Sequence, residues 1–448
     1  MSTHIPDEEL SLFAMDPESL SQQRRGEIER HTSSCAECGA SFDFYLVTEE
    51  DLRDPLVWQP LNSPCPPMIS EYARRCEAED AEADRLLEPY MENAAKAAWD
   101  DISNRREFQT GGVVRRLNAR AHAIVASEPL AALTFADLAQ AIASVLPDHT
   151  YPSNNVYELR GTAWKERANA LLRLGKLDEA LESLKRADRA YGYVRSSGFG
   201  LATVELVRAA VYYQKDELAI AAVHAELAEA GYAFIGMQEH RMKAVLLRGQ
   251  IRYEALEYET ASAIFQQLME YGEEVGDAGW IARGAYCRGA CELKRGKLSD
   301  AAMLFNTALV IFRETGPASE RISTEWGLAR VVLDSGNASE ALPRLRAVVT
   351  AFEELGMVMD AAVAGLDVAD ALLVLAQQEQ IAQIAAHSYR VLSKAGVVTG
   401  ALTALAYLKE TASHRRVKPK VIDRVRTFLR RTERDPELVF VPPLDTSD

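Results

Sequence analysis

The sequence predicts an all-α protein, most of which is a solenoid of antiparallel helix pairs. Three observations support this fold class. Proline and glycine are sparse, with 17 and 25 among 448 residues, which disfavours a β-fold with many turns. Hydrophobic residues make up 48% of the chain, enough to build buried cores. The middle of the chain repeats every 40 or 41 residues, and a period of this size is typical of stacked helix pairs.

Composition divides the chain into five predicted segments. In order, they are a compact domain (1–50), a Pro-rich linker (51–68), a helical connecting region (69–155), the repeats (156–395), and basic helices with a tail (396–448). In the connecting region, a helical pattern runs to about Glu107 and is broken at Gly111-Gly112. Two more helices are expected between Val113 and Val145, divided near Pro129.

The repeat is defined by small residues at fixed spacing. In one copy, Gly289 is followed by Gly296, Ala301 and Phe305, seven, twelve and sixteen positions later. The first small residue and the alanine let two helices approach closely, and the second glycine ends the first helix. The anchors of the copies are Ala168, Ala209, Gly249, Gly289, Ala329 and Ala369. Over residues 160–395 the pattern resembles tetratricopeptide repeats, whose common form has a shorter period of 34 residues.

The N-terminal domain contains a motif of metal-ligand type. Cys35 and Cys38 follow His31, so that the imidazole and both thiolates can reach one ion at the end of a helix. A tetrahedral site needs a fourth ligand, and His4 is the nearest upstream candidate. We therefore predict one Zn²⁺ held by His4, His31, Cys35 and Cys38. The helix that carries His31 is expected to begin at Asp16-Pro17.

This motif resembles the zinc-binding anti-sigma domain of bacteria. Members of that family carry His-x3-Cys-x2-Cys after a helix and another His or Cys about 25 residues earlier; here His4 precedes His31 by 27 residues. The resemblance covers about residues 1–48, and it implies a three-helix domain that keeps an alternative sigma factor from RNA polymerase. Many such regulators have a membrane span. Here the repeats would stand in its place as a C-terminal sensor domain.

Charge, motifs and composition argue against several classes of function. The net charge of −16 argues against direct binding to nucleic acid. Because we find no phosphate loop, nucleophile elbow or HExxH motif, we predict that the protein is not an enzyme. We see neither a signal peptide nor a long apolar run, and we expect a cytoplasmic protein with reduced cysteines that does not bind membranes. The basic stretch Lys409–Arg434 is interpreted mainly as a solvated helix face.

Three functions stay open at the level of sequence. The first is a cytoplasmic regulator that sequesters a sigma factor through its zinc-binding head and binds a protein through its repeats. The second is an adaptor or scaffold with a purely structural zinc head. The third is a redox sensor, in which oxidation of Cys35 and Cys38 releases zinc. The sequence leaves open the oligomeric state, the sigma factor and the ligand of the repeats.

The resemblance to tetratricopeptide repeats also predicts a binding groove. In such arrays the first helix of each pair lines the concave face, and fixed positions around the small anchor point inward. Basic and aromatic residues predominate at these positions, and such residues often anchor interfaces. We therefore expect an acidic partner segment, from another protein or from the chain's own stretch at 77–92. The predicted groove residues are Lys165, Asn169, Arg173, Tyr213, Lys243, Gln250, Tyr253, Arg283, Tyr286, Lys294, Trp326 and Arg330.

Overall fold

The computed structural model describes residues 20–35, 67–91, 102–146, 153–194, 197–396, 399–432 and 438–442, with isolated positions at 4–6, 9, 10, 13, 38 and 151. Within these residues all regular secondary structure is helical, with eighteen α-helices and two short 3-10 helices, so the predicted fold class is confirmed. The chain divides into two compact units, Met1–Arg75 and Cys76–Asp448. None of the described helices combines the length and the hydropathy that a membrane span requires. The predicted linker falls almost wholly outside the described residues.

In the first unit, helix α1 (Gln22–Ser34) positions the metal-ligand motif. Ser21 is its N-cap, because the serine hydroxyl accepts a hydrogen bond from the N–H of Arg24 at 3.3 Å. The prediction that this helix begins at Asp16-Pro17 is therefore wrong. At the other end, the N–H of Cys35 donates to the carbonyl of His31 at 2.8 Å. The motif thus straddles the C-terminus of α1.

The described residues of this unit form one small apolar cluster. Among its described residues, the buried apolar cluster consists of Leu10, Ile28 and Cys38, which are exposed by 1%, 0% and 3%. One of the three is itself a predicted metal ligand. These three side chains by themselves supply little stability.

The connecting region contains helices α2 (Pro67–Met91), α3 (Gly111–Ile124) and α4 (Pro129–Val145). The division near Pro129 is confirmed. The predicted break at Gly111-Gly112 is wrong, because α3 begins there, after an N-cap at Thr110. Close approach to α2 explains the glycine: a Cβ atom on Gly112 would lie 2.4 Å from the carbonyl oxygen of Glu79. Between α2 and α3, the chain forms two 3-10 helices, Ile102–Asn104 and Arg106–Phe108.

The rest of the second unit is a row of seven helix pairs among the described residues. The first helices of the pairs are α5 (Ser153–Arg173), α7 (Gly198–Gln214), α9 (Gln238–Glu254), α11 (Ala278–Lys294), α13 (Ala318–Asp334), α15 (Val358–Val374) and α17 (Thr399–Ser413). The second helices are α6 (Leu177–Tyr191), α8 (Leu218–Phe234), α10 (Tyr258–Val275), α12 (Leu298–Thr315), α14 (Ala338–Glu354), α16 (Gln378–Lys394) and α18 (Pro419–Thr432).

The predicted anchors explain how the pairs pack. All six anchors lie on first helices and are buried. A Cβ atom on Gly249 would lie 2.4 Å from the ring of Phe265, and one on Gly289 would lie 2.9 Å from the ring of Phe305. In these two pairs, small residues are therefore needed where the second helix presses an aromatic ring onto the first, as the sequence predicts.

The turn within each pair has one geometry throughout. Its central residue has a left-handed backbone at residues 175, 216, 256, 296, 336, 376 and 415, although only three of these positions are glycine. At Leu256, for example, φ is 62°. The N–H groups of Leu256 and Glu257 donate back to the carbonyls of Tyr253 and Arg252 at 3.0 and 2.9 Å. These two bonds form a Schellman motif, which closes the first helix even without glycine.

Candidate functional sites: a histidine–cysteine cluster and a cavity in the repeats

Four predicted ligands meet in the first unit. The ligand atoms of His4, His31, Cys35 and Cys38 all lie within 4.8 Å of one another. Nδ1 of His4 is 3.4 Å from Sγ of Cys38 and 3.5 Å from Sγ of Cys35. The rings of His4 and His31 lie edge to face, with centroids 6.4 Å apart. These four residues could hold a metal ion.

The separations fit a tetrahedral ion. With ordinary zinc–nitrogen and zinc–sulfur bond lengths, nitrogen and sulfur ligands of one tetrahedral ion lie about 3.6 Å apart. The two His4–cysteine separations are close to that value. Moreover, Nε2 of His31 is buried and has no hydrogen-bond partner among the described residues. A buried ring nitrogen without a partner costs free energy, which coordination to an ion would recover.

The local sequence explains how this cluster forms. His31 lies in the last turn of α1 and Cys35 is its C-cap, so both are fixed by the helix. Cys38 is buried beside Ile28 and Leu10, which fixes it to the small core. His4 comes from the N-terminal segment and is exposed. A bound ion would therefore tie that segment to the end of α1.

The second candidate site is a cavity of about 220 Å³ in the repeat body. Its walls come from the first helices α9, α11, α13 and α15, from the second helix α12 through Phe305, and from the last helix, α18. Five predicted groove residues line it together, namely Tyr253, Tyr286, Lys294, Trp326 and Arg330. Side chains that were predicted to face inward from three successive helix pairs therefore line the same cavity.

Asp367 on α15 is the centre of the polar wall of this cavity. It is 2% exposed, and it accepts a hydrogen bond from Nε1 of Trp326 at 2.7 Å. It also pairs with the guanidinium groups of Arg330 and of Arg426, the latter at 3.1 Å. Burial raises the pKa of the neighbouring carboxyl of Asp370 to about 6, against the attraction of Arg426. This network links three helices that are far apart in sequence.

Helix α18 contributes to the cavity in a way that we did not predict. We expected Lys409–Arg434 to be mainly a solvated face, but α18 buries Ile422, Val425 and Leu429 against the core. The edge next to this buried face brings Asp423, Arg426 and Arg430 to the cavity. The available signal was the helical spacing of the three apolar residues, which indicates an amphipathic helix that must bury one face.

The other predicted groove residues lie elsewhere. Lys165 and Asn169 both contact the buried carboxylate of Glu166. Lys243 pairs with Glu239 at 2.9 Å, and Arg283 pairs with Glu320 at 3.1 Å and lies over the ring of Trp280. Arg173 and Gln250 are exposed, and Tyr213 is half-buried. The basic character predicted for the groove is thus partly balanced by acids, which lie on the same helix for Lys165 and Lys243 and on the next first helix for Arg283.

Two thiols in the repeats are packed as the sequence predicts. Cys287 and Cys291 lie on one face of α11 and belong to its apolar cluster. Burial raises the pKa of each thiol to about 12. Both are therefore protonated at neutral pH and poorly reactive.

No family model and no curated protein sequence matches this chain. Solved structures of similar architecture include aspartyl phosphate phosphatase F from Bacillus subtilis, with 15% identity, 69% of this chain and 79% of that chain covered, and a TM-score of 0.49. Another is a Rap protein complexed with Competence and Sporulation Factor, with 13% identity, 71% and 100% covered, and a TM-score of 0.44. A tetratricopeptide repeat protein from Parabacteroides merdae has 17% identity, 71% and 98% covered, and a TM-score of 0.42. These identities are too low to assign a function.

Proposed function

We propose that this protein is a zinc-binding regulator, whose repeat body binds a segment of a partner protein. The observation that carries the proposal is the cavity in the repeats. Tyr253, Tyr286 and Trp326, from three successive pairs, line one space together with cationic side chains. Aromatic and arginine side chains at a recess are the usual anchors of a bound protein segment.

In the head, His4, His31, Cys35 and Cys38 would hold Zn²⁺. Two thiolates and two imidazoles are a common donor set of structural zinc sites, and a structural ion supplies folding free energy directly. With the small apolar core described above, that contribution is what would keep α1 and the N-terminal segment together. Within the four-ligand set no position is open for a substrate, which favours a structural ion over a catalytic one.

The resemblance to anti-sigma domains gives the head its proposed target, a sigma factor. Residues 1–60 carry a net charge of −9, from 13 acids and 4 bases. A DNA-binding protein offers a basic surface, so opposite charges would speed association. The complex would then weaken as salt rises, because exposed charges are screened.

The test is a pull-down with the full-length chain, followed by identification of the captured proteins by mass spectrometry. One variant, Cys38→Ser, damages the head. A second, Lys243→Glu/Arg283→Glu/Lys294→Glu, reverses charges on first helices. Its matched control, Lys185→Glu/Arg313→Glu/Arg344→Glu, reverses three exposed charges on second helices.

We expect the first-helix variant to lose a partner that the control variant keeps, and Cys38→Ser to lose a sigma factor. If the first-helix variant captures every wild-type partner, the groove does not bind them. If the wild-type chain captures no sigma factor, the proposed target of the head is wrong, and the adaptor alternative is what remains.

A further inference from the structure

The cavity in the repeats contains cationic groups that no carboxylate of the described residues neutralises. Four cations line it, namely Lys294, Arg330, Arg426 and Arg430. Arg330 pairs with Asp334 at 3.4 Å and with Asp367. Arg426 pairs with Asp367, Asp370 and Asp423. Within the part of the chain that the structure describes, neither Lys294 nor Arg430 pairs with a carboxylate.

The surroundings of Lys294 show a surplus of positive charge. Partial burial lowers the pKa of its ammonium, and the nearby guanidinium groups of Arg430, Arg330 and Arg426 lower it further. The acids that line the cavity are already engaged with Arg330 and Arg426. An incoming anion would therefore find two cations that have no competing carboxylate partner among the described residues.

Much of the remaining wall is formed by apolar and aromatic side chains. Tyr253 and Tyr286 line the cavity with Leu293 and Phe305, and burial raises the pKa of both tyrosines. Charge-assisted hydrogen bonds are strongest in such surroundings, and an apolar group beside the anion would pack on the rings. A volume of about 220 Å³ accommodates one or two side chains and excludes a whole helix.

We propose that this cavity is a carboxylate-binding subsite, in which Lys294 and Arg430 hold an Asp or Glu side chain of the bound segment while Tyr253 and Tyr286 contact the apolar residue beside it. The inference rests on the proposed function, since it names what the repeat body recognises. It also makes the C-terminal helix part of the ligand site, because α18 supplies one of the two cations.

The experiment uses a random peptide display library, selected on the full-length chain. We expect the selected peptides to share an Asp or Glu beside an aromatic or aliphatic residue. The variant Lys294→Gln/Arg430→Gln should bind a selected peptide roughly tenfold or more weakly. The control Lys297→Gln/Arg431→Gln removes the same charge from residues that do not line this cavity and should bind normally. Since Lys294→Gln relieves repulsion, the first variant should keep its Tm.

A Glu→Gln form of the peptide separates this contact from other effects. The Glu→Gln peptide should bind the wild-type chain more weakly than the original peptide, by the same factor as the double variant weakens binding. On the Lys294→Gln/Arg430→Gln variant, the two peptides should bind with equal affinity. Equal losses on both proteins, or selected peptides without a common acid, would overturn the subsite while leaving the proposed function intact. If no peptide is selected, but glutarate raises the Tm of the wild-type chain and not of the variant, the carboxylate comes from a small molecule. The proposed function then fails and the anion site stands. If neither binds, both proposals are wrong.

Discussion

The head and the repeat body differ in the size of the buried apolar clusters that their described residues form. In the described residues of the head, the core is three side chains, and one of them is a predicted metal ligand. The largest apolar cluster of the body contains twenty-five buried residues and runs through α13 to α18. Every pair in the body is closed by the same turn, and small anchors repeat along it. With the proposed ion bound, four ligands would supply much of the stability of the head, whereas the stability of the body is distributed over many apolar contacts.

This difference predicts that replacing a buried cysteine affects the two regions to very different extents. Replacing a buried cysteine should be severe in the head and mild in the body, although Cys38 and Cys291 are both buried. Cys38→Ser should lose the ion, whose binding free energy in small zinc domains is about 10–16 kcal/mol. Metal content and circular dichroism of the full chain provide the measurement.

The control is Cys291→Ser, which should keep the metal and lower the Tm by a few degrees only. A Cys38→Ser protein that retains a full equivalent of zinc would contradict the assigned ligand set. Loss of helix across the whole chain would show that the head and body do not fold independently.

The largest effect expected from a single polar residue in the body is at Asp367. Asp367→Asn would remove a negative charge that balances the guanidinium groups of Arg330 and Arg426 near the cavity. Breaking a buried ion pair from one side typically costs about 3–5 kcal/mol. Urea unfolding measures the change. Asp334→Asn is the matched control, since the side chain of this acid is 35% exposed and, among the described residues, forms an ion pair only with Arg330. Equal costs for the two variants would mean that Asp367 is not the centre of the network.

The buried carboxyl of Glu166 on α5 should give the body a measurable acid sensitivity. Burial by itself would raise its pKa, but hydrogen bonds from His122, Lys165 and Asn169 and the charge of Lys165 lower it to about 2. A depressed pKa stabilises the fold above the ordinary value near 4.5, and this stabilisation is lost as pH falls toward 2.

Between pH 5 and pH 3 the wild-type chain should therefore lose about 2 kcal/mol more than Glu166→Gln. Urea unfolding at the two pH values provides the comparison. His122 works in the opposite direction, because its raised pKa gives stability that disappears as pH rises above its ordinary value. Parallel losses in the two proteins at acid pH would exclude Glu166 as the titrating group.

The smallest predicted effect concerns the repeated turn. Leu256 is 70% exposed and has a left-handed backbone, which costs a non-glycine residue about 1–2 kcal/mol. Leu256→Gly should therefore stabilise the body by about 1 kcal/mol, after the larger chain entropy of unfolded glycine is subtracted. Gly296→Leu, at the equivalent position, should destabilise it by a similar amount. Thermal unfolding of both variants tests this, and changes of the same sign would contradict it.

Local and periodic features were predictable from the sequence, and contacts across repeats were not. The anchor glycines and alanines, the turn glycines and the His31–Cys35–Cys38 spacing all lie within one or two helices. The network at Asp367 joins residues 41 and 59 positions apart, and no local pattern marks it. Gly112 was misinterpreted for a related reason, since the close approach of α2 that requires it is a tertiary contact. Propensity alone assigns such a glycine to a break.

Hydrogen exchange of the wild-type chain, with and without a zinc chelator, tests the central claim most directly. That claim is that an ion holds the head together, whereas apolar packing holds the body. With chelator, the amides of α1 (Gln22–Ser34) should lose their protection, while those of α13 (Ala318–Asp334) should exchange as before. Unchanged protection of α1 after complete removal of the metal, or a parallel loss in α13, would contradict it.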